Sequence, residues 1–414
     1  MRHAPRREVF ASPEFRAVWL ADLLSVAGDQ IARVGLAVLV YTRTNSAALT
    51  ALTYALTFLP ALFSGPLSTV ADRVPRRTFM VTADLTRAVL VASMAVPDIP
   101  LPVLSALLLL TQILDPPHAA ARNAALRDIF PTHAADPDDT HYRSAESIRT
   151  VTSQIAQLAA FPSGGLLAAI NPQVALAGNA LTFVVSAVLV GLFVRRMPPA
   201  ATPGTSSYWK AIRDARGTLR HNPRIRAIAA MAALAGLTVV PEGLAIPYAS
   251  DAGGNPAAAG LLMAADPLGN TLGAAAVPFL SARLQQRIMA PLIAVTGIPL
   301  LFVLLRPPLP VAAVLFLLSG ACGAYLLMSK TTLTTLTPEP QRAGLIGRIR
   351  GRVNVSQGVV IVASGAVAGW IGPVPTIALA GLLCLIAGAC VTVMWQRAVR
   401  STSAPPRDSS PSAR

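Results

Sequence analysis

Gly65-Pro66-Leu67-Ser68-Thr69-Val70-Ala71-Asp72-Arg73-Val74-Pro75-Arg76-Arg77 interrupts two long apolar runs with one carboxylate and three guanidiniums. Such charges are too costly to leave unpaired in hydrocarbon, so the stretch is a short polar loop at a membrane surface, flanked by two membrane helices. Cytoplasmic loops gather Arg and Lys, which puts this loop on the inner side. A carboxylate at a helix end beside guanidiniums can also form charge-assisted hydrogen bonds. Asp72, Arg73, Arg76 and Arg77 are therefore expected to clamp the inner face closed.

Outward from this loop, the chain has the composition of a membrane protein. Of 414 residues, 53% are hydrophobic and 13% charged, against about 25% charged in a soluble domain. A membrane helix needs about 20 apolar residues. Apolar segments fall near residues 17–40, 47–70, 78–96, 101–121, 144–170 and 173–194, then 226–248, 256–281, 288–305, 309–329, 350–371 and 374–395. Twelve spans with both termini inside leave only Arg43 and Arg306 in outside loops. The clusters at Arg2 to Arg16, Arg73 to Arg77, Arg122 to Arg149, Arg195 to Arg226, Arg283 with Arg287, Lys330 to Arg352 and Arg397 to Arg414 all fall inside. An odd count would turn several of these outward, against the charge rule.

The net charge of +15 is thus an orientation signal spread between apolar runs, and no nucleic-acid partner is expected. The basic stretch 1–15 precedes a run too long for a cleaved signal, so that run is the first span. Cys322, Cys384 and Cys390 lie in apolar stretches without metal-site spacing. No phosphate-cradling Gly-x-x-x-x-Gly-Lys loop and no His-Glu-x-x-His pair occurs, and no cofactor is called for. The five histidines lie at or near inner ends, so a proton path through the membrane must use carboxylates.

The division expected is a six-helix bundle over residues 1–195, a cytoplasmic connector over 196–224, a second bundle over 225–396 and a disordered tail over 397–414. In the connector Trp209, Ile212, Arg216 and Leu219 recur at helical spacing, which suits a basic amphipathic helix on the inner leaflet, with Arg216 reaching into the headgroups. The two halves repeat in the same direction. An offset of 210 sets Arg16 on Arg226, Arg73 on Arg283 and Arg77 on Arg287. The fifth span of each half opens alike, with Arg149-Thr150-Val151-Thr152-Ser153-Gln154 and Arg352-Val353-Asn354-Val355-Ser356-Gln357. Parallel repeats of this kind are related by an axis along the membrane normal.

Intramembrane charges are where function is expected. Asp29 follows Arg16 by 13 residues, roughly 20 Å along a helix, and Arg33 lies one turn further on the same face as its expected partner. Asp84 is expected to pair with Arg87 near the inner end, as a structural feature. Glu242 sits at comparable depth in the other half, 16 residues after Arg226. Pro241, Gly243 and Pro247 loosen its helix. Asp266 lies mid-span before Pro267, and Asp115 lies before Pro116 and Pro117 in the inner part of the fourth span. Asp29, Arg33, Glu242, Asp266 and Asp115 are the expected cavity residues. Glu242, Asp29 and Asp266 are the expected proton carriers, with Glu242 first because it has no basic neighbour on its own helix.

The loop at 65–77 resembles the signature of the major facilitator superfamily, with Ser68 and Pro75 where that signature has glycine. Leu24-Ser25-Val26-Ala27-Gly28-Asp29 resembles the start of bacterial drug and macrolide exporters in that superfamily, and Phe161-Pro162-Ser163-Gly164-Gly165 partly resembles its antiporter motif. The usual basic residue at the middle of the fourth span is missing. The resemblance implies an all-α membrane protein of twelve transmembrane helices in two six-helix bundles, and not an enzyme. It further implies a proton-coupled exporter of small hydrophobic molecules such as antibiotics, working by alternating access in the inner (plasma) membrane as a monomer. Its partners are then a small-molecule substrate, protons and the lipid bilayer. An uptake carrier for a small nutrient and a non-transporting membrane sensor are the alternatives; the 5% aromatic content weighs against the first.

Tags at either terminus or in residues 196–224 are expected to report cytoplasm, and a cysteine near Asp98 or Gly254 to be labelled from outside. An extracellular C-terminus shows that the span count is odd.

Overall fold

The computed structural model describes residues 6–60, 74–131, 139–196, 222–337 and 339–403. These residues are almost wholly helical, and no strand occurs among them. A short α1 (Arg6–Ala11) leads into α2 (Pro13–Thr44), α3 (Ala47–Leu56), α4 (Arg76–Met94), α5 (Leu101–Ile113), α6 (Asp115–Ile129), α7 (Thr140–Ile170) and α8 (Pro172–Phe193). The second half holds α9 (Pro223–Ala233), α10 (Ala235–Thr238), α11 (Val240–Gly243), α12 (Ala245–Asp251), α13 (Pro256–Ala276) and α14 (Ala282–Ile288). It ends with α15 (Pro291–Leu301), α16 (Leu309–Cys322), α17 (Tyr325–Leu336), α18 (Glu339–Ile371) and α19 (Pro373–Ser403).

Among the described residues each apolar segment read from the sequence holds a helix or a run of short helices, although the segment 47–70 is helical over Ala47–Leu56 and its residues 61–70 lie outside the described ones. By length and composition seven of the helical stretches can cross a membrane, or eight if α14 with the stretch Pro291–Leu305, bent by 56°, counts as one. α4 does not qualify because Asp84, Arg87 and its leading arginines lower its hydropathy. Helices also overrun the expected inner boundaries. Arg122, Arg143, Arg149 and Arg352 stand on helices rather than in loops, and α19 continues through residues 397–403, which were expected in the tail. The connector helix at Trp209 to Leu219 and the tail from 404 lie outside the described residues.

Links at the end opposite the arginine clusters are tight, and the residue types explain them. Asn45 closes α2 in the left-handed conformation at φ 48°, which asparagine tolerates, and Ser46 caps α3 through the amide of Leu49. Asn171 caps α8 and Asn255 caps α13, each with a proline at the first helical position. Gly372, at φ 87°, turns α18 into α19. Such short links make sequential helices antiparallel neighbours.

The outward surface is apolar. On α8, Leu181, Val184, Val188 and Leu192 are 40–73% exposed, and Trp370 on α18 is 92% exposed. Rows of this kind suit lipid and not water. Inside, Ser153 of α7 donates to Asp22 of α2 at 2.9 Å. Its counterpart Ser356 of α18 donates to the Ala233 carbonyl and accepts from the Gly236 amide at 3.0 Å. Position 22 plus 210 is 232, next to Ala233, so both serines fasten equivalent helices, as the parallel repeat requires.

The halves meet where α3 packs on α18 and α7 on α13. In the second seam the backbones nearly touch: a Cβ on Gly165 would lie 2.7 Å from the Pro256 carbonyl, and one on Gly260 would lie 2.7 Å from the Phe161 carbonyl. Only glycine permits that approach. Gly165→Leu is expected to part this seam while leaving each half folded. An impermeant maleimide applied from the side of Asn171 and Asn255 should then label a cysteine at Thr57, which lines the interior, several-fold faster than in the unaltered seam.

Candidate functional site

A cavity opens among α2, α3, α4, α5 and α8, with Asp29, Arg33, Tyr54, Gln112 and Asn179 among its polar lining. Asp29 is held from neighbouring helices. Arg87 Nη2 lies 3.1 Å from its Oδ2, and Asn179 donates to its Oδ1 at 3.4 Å. The expected Asp29–Arg33 pair is therefore replaced by Asp29–Arg87. Arg87 is 2% exposed, lies 3.5 Å from Asp115 Oδ1 and packs over the Phe183 ring at 4.3 Å. A guanidinium with five donors needs more than one acceptor when buried, and two carboxylates from α2 and α6 supply them.

The expected Asp84–Arg87 pair is likewise re-sorted. Buried Asp84 contacts His118 Nε2 at 3.1 Å and accepts from Ser186 Oγ at 2.6 Å. Asp115, expected as a cavity residue, has a side chain 52% exposed at the start of α6, with Arg87 as its ion-pair partner. Spacing along one helix favoured the local pairs, but helix crossing brings the stronger partners from other helices.

Released from Asp29, the Arg33 guanidinium stands over the Tyr54 ring, 5.5 Å from its centroid. The Tyr54 hydroxyl in turn donates to Glu242 Oε1. This bond crosses between the halves, from α3 to α11. Glu242 is where it is because the seventh apolar segment is broken into α9 to α12, with interruptions at Leu234, Val239 and Leu244. Pro241 and Pro247 lack the amides that a continuous helix would use there. Asp266, on α13, is also buried, and its Oδ1 has no hydrogen-bond partner. Among the described residues neither Glu242 nor Asp266 has an ion-pair partner.

At the arginine-rich end, Asp72 and Arg73 lie outside the described residues. Arg76 pairs with Asp128 of α6 and Arg77 donates to the Gly191 carbonyl of α8, so both tie helices within the first half. A second network there was not expected. Buried Asp22 pairs with Arg122 and, at 3.1 Å, with Arg149, which also makes two bonds to Glu146 at 2.7 and 3.1 Å. Asp22 precedes Asp29 by seven residues and so shares its helix face, a signal that could have found it. Nothing in the local sequence marks Tyr54 or Asn179. They matter through helix packing alone. Among the described residues no group of three or more His, Cys, Asp or Glu could hold a metal ion.

Removing Arg87 leaves the largely buried Asp29 without its ion-pair partner, so Arg87→Gln should cost about 3–5 kcal/mol of stability. Asp29→Asn should cost less, and the double variant less than the sum, because both changes break one network. Unfolding midpoints in detergent measure this, and simple additivity would return Asp29 to Arg33.

The family model of the Major Facilitator Superfamily matches residues 18–242. No curated protein matches the sequence. Among solved structures, a mutant of the nucleoside transporter NupG superposes with a TM-score of 0.73 at 14% identity, covering 93% of this chain and 99% of that one. A bacterial homologue of the human lysosomal transporter Spinster, inward-facing and occupied, gives 0.70 at 14% identity, over 93% and 96%. The peptide transporter POT in complex with alafosfalin gives 0.71 at 12% identity, over 95% and 99%. At these identities the superpositions speak for the fold. The family match covers more than half of the chain and contains the 65–77 loop, Asp29, Arg33 and Glu242, so this multi-pass membrane chain belongs to the major facilitator superfamily of transporters and is not an enzyme.

Proposed function

We propose that the chain is a proton-coupled exporter of small hydrophobic molecules, with twelve spans in two six-helix bundles and both termini in the cytoplasm, acting as a monomer in the plasma membrane. The helices found at the apolar segments among the described residues, and the rule that arginine clusters stay inside, support that topology. With that orientation, the α7–α13 seam and the Tyr54–Glu242 bond lie towards the outside.

The observation that carries the mechanism is the bond from Tyr54 to Glu242 across the halves. As a carboxylate, Glu242 is a strong acceptor and ties α11 to α3. In the outward-open state Glu242 takes a proton from outside, and the neutral acid is less costly to bury, so the outer end closes over it. In the inward-open state Glu242 gives the proton to the cytoplasm, and substrate taken up from that side makes the return swing. Each cycle thereby moves a proton in and substrate out. Asp266 is the second carboxylate on this route, and its unpartnered oxygen suits a group that holds a proton. The exporter motif at Leu24 to Asp29 and the apolar part of the cavity favour hydrophobic cargo.

An uptake carrier is the second reading, favoured by the hydrogen-bonding lining of Gln112, Asn179 and Thr53. Accumulation of antibiotics by everted vesicles, against right-side-out ones, separates the two directions. In proteoliposomes with an imposed pH gradient, Glu242→Gln should abolish gradient-driven flux and keep energy-independent exchange, because the amide imitates the protonated acid. Accumulation at the wild-type rate would remove Glu242 from the proton path and leave Asp266 as the next residue to test.

A further inference from the structure

We propose that the transported molecule bears an anionic group, a carboxylate or phosphoester, and that Arg33 receives it in the cavity of the first half. The inference rests on the transport reading and narrows its substrate class.

A guanidinium at membrane depth needs counter-charge, and the other deep guanidiniums of this half have it. Arg87 has Asp29 and Asp115, while Arg122 and Arg149 share Asp22. Arg33 differs. Among the described residues no carboxylate lies within ion-pair distance of it, and its neighbour is the Tyr54 ring at 5.5 Å. A cation over a ring gains about 0.5–2 kcal/mol, which does not replace an ion pair. Glu242 is near enough to act on its charge, but the Tyr54 hydroxyl stands on that carboxylate.

Arg33 is also accessible. Its side chain is half-buried and lines the same cavity, whose other charged group, Asp29, is paired with Arg87 and bonded by Asn179. The cavity charge left without an ion-pair partner is therefore that of Arg33. A guanidinium presents a planar fork that fits two oxygens of a carboxylate or phosphate at once. Leu36, Met94, Leu108 and Leu176 line the same space, so the rest of the molecule is apolar. The ligand this site takes is an anionic amphiphile.

The test uses the full chain in lipid nanodiscs and three probes with one apolar body: naphthylacetate, naphthylethanol and naphthylethylamine. Binding is read from stabilisation against heat as each is titrated to millimolar concentration. The wild type should hold the acetate at least about tenfold more tightly than either other probe, the worth of one charge-assisted contact. Arg33→Gln should erase that preference, and Arg33→Lys should keep the preference for charge in weaker form. If Arg33→Gln does not fold, the wild-type probe series and the Lys variant still decide. Equal or tighter binding of the alcohol or the amine, no binding of any probe, or a preference that survives Arg33→Gln overturns the proposal. Flux of naphthylacetate into proteoliposomes is measured separately. Preference without gradient-driven flux fails the transport reading alone, and gradient-driven flux without preference fails only this inference.

Discussion

Hydrocarbon offers no hydrogen-bond partner, and the organisation of this chain follows from that deficit. Backbone groups are satisfied along helices, so the described residues are nearly all helical. Charged side chains have no such internal remedy. They must find one another across helices, and where they do, they fix which helices touch. Asp22 gathers α6 and α7 onto α2, and Arg87 gathers α2 and α6 onto α4. Among the described residues at membrane depth, Arg33, Glu242 and Asp266 have no ion-pair partner, and they stand out against this background.

Glu242 and Arg33 also lie where the halves face each other. Glu242 meets Tyr54 across the boundary, and Arg33 stands over the same ring. One tyrosine thus connects a cation of the first half with an acid of the second. A change of charge on either side is felt at the contact whose making and breaking alternating access requires.

Helix positions were legible because hydropathy acts over segments of about 20 residues, and among the described residues the expected segments hold helices. The break in the seventh segment was legible from Pro241, Gly243 and Pro247. Partners were less so. Asp29 with Arg33 and Asp84 with Arg87 are the natural pairs along a single helix, yet the folded chain exchanges both, since a partner on a crossing helix approaches more directly than one along the same rod. Tyr54 shows the limit most plainly: it lies 188 residues from Glu242 and becomes meaningful only when α3 packs against α11.

Mechanically, the two halves are unequal. Helices α2, α4, α6 and α7 are bolted together by ion pairs at Asp22 and at Asp29, in the first part and the middle of α2, so the first half moves as a strut. In the second half, the counterpart of α2 is a column with three joints, at Leu234, Val239 and Leu244, fastened by the hydroxyl of Ser356 where the first half uses the carboxylate of Asp22. Compliance is thereby concentrated in the α9–α12 column. Glu242 rides on its penultimate segment, so a push delivered there can flex the column before the glycine seam between α7 and α13 has to yield.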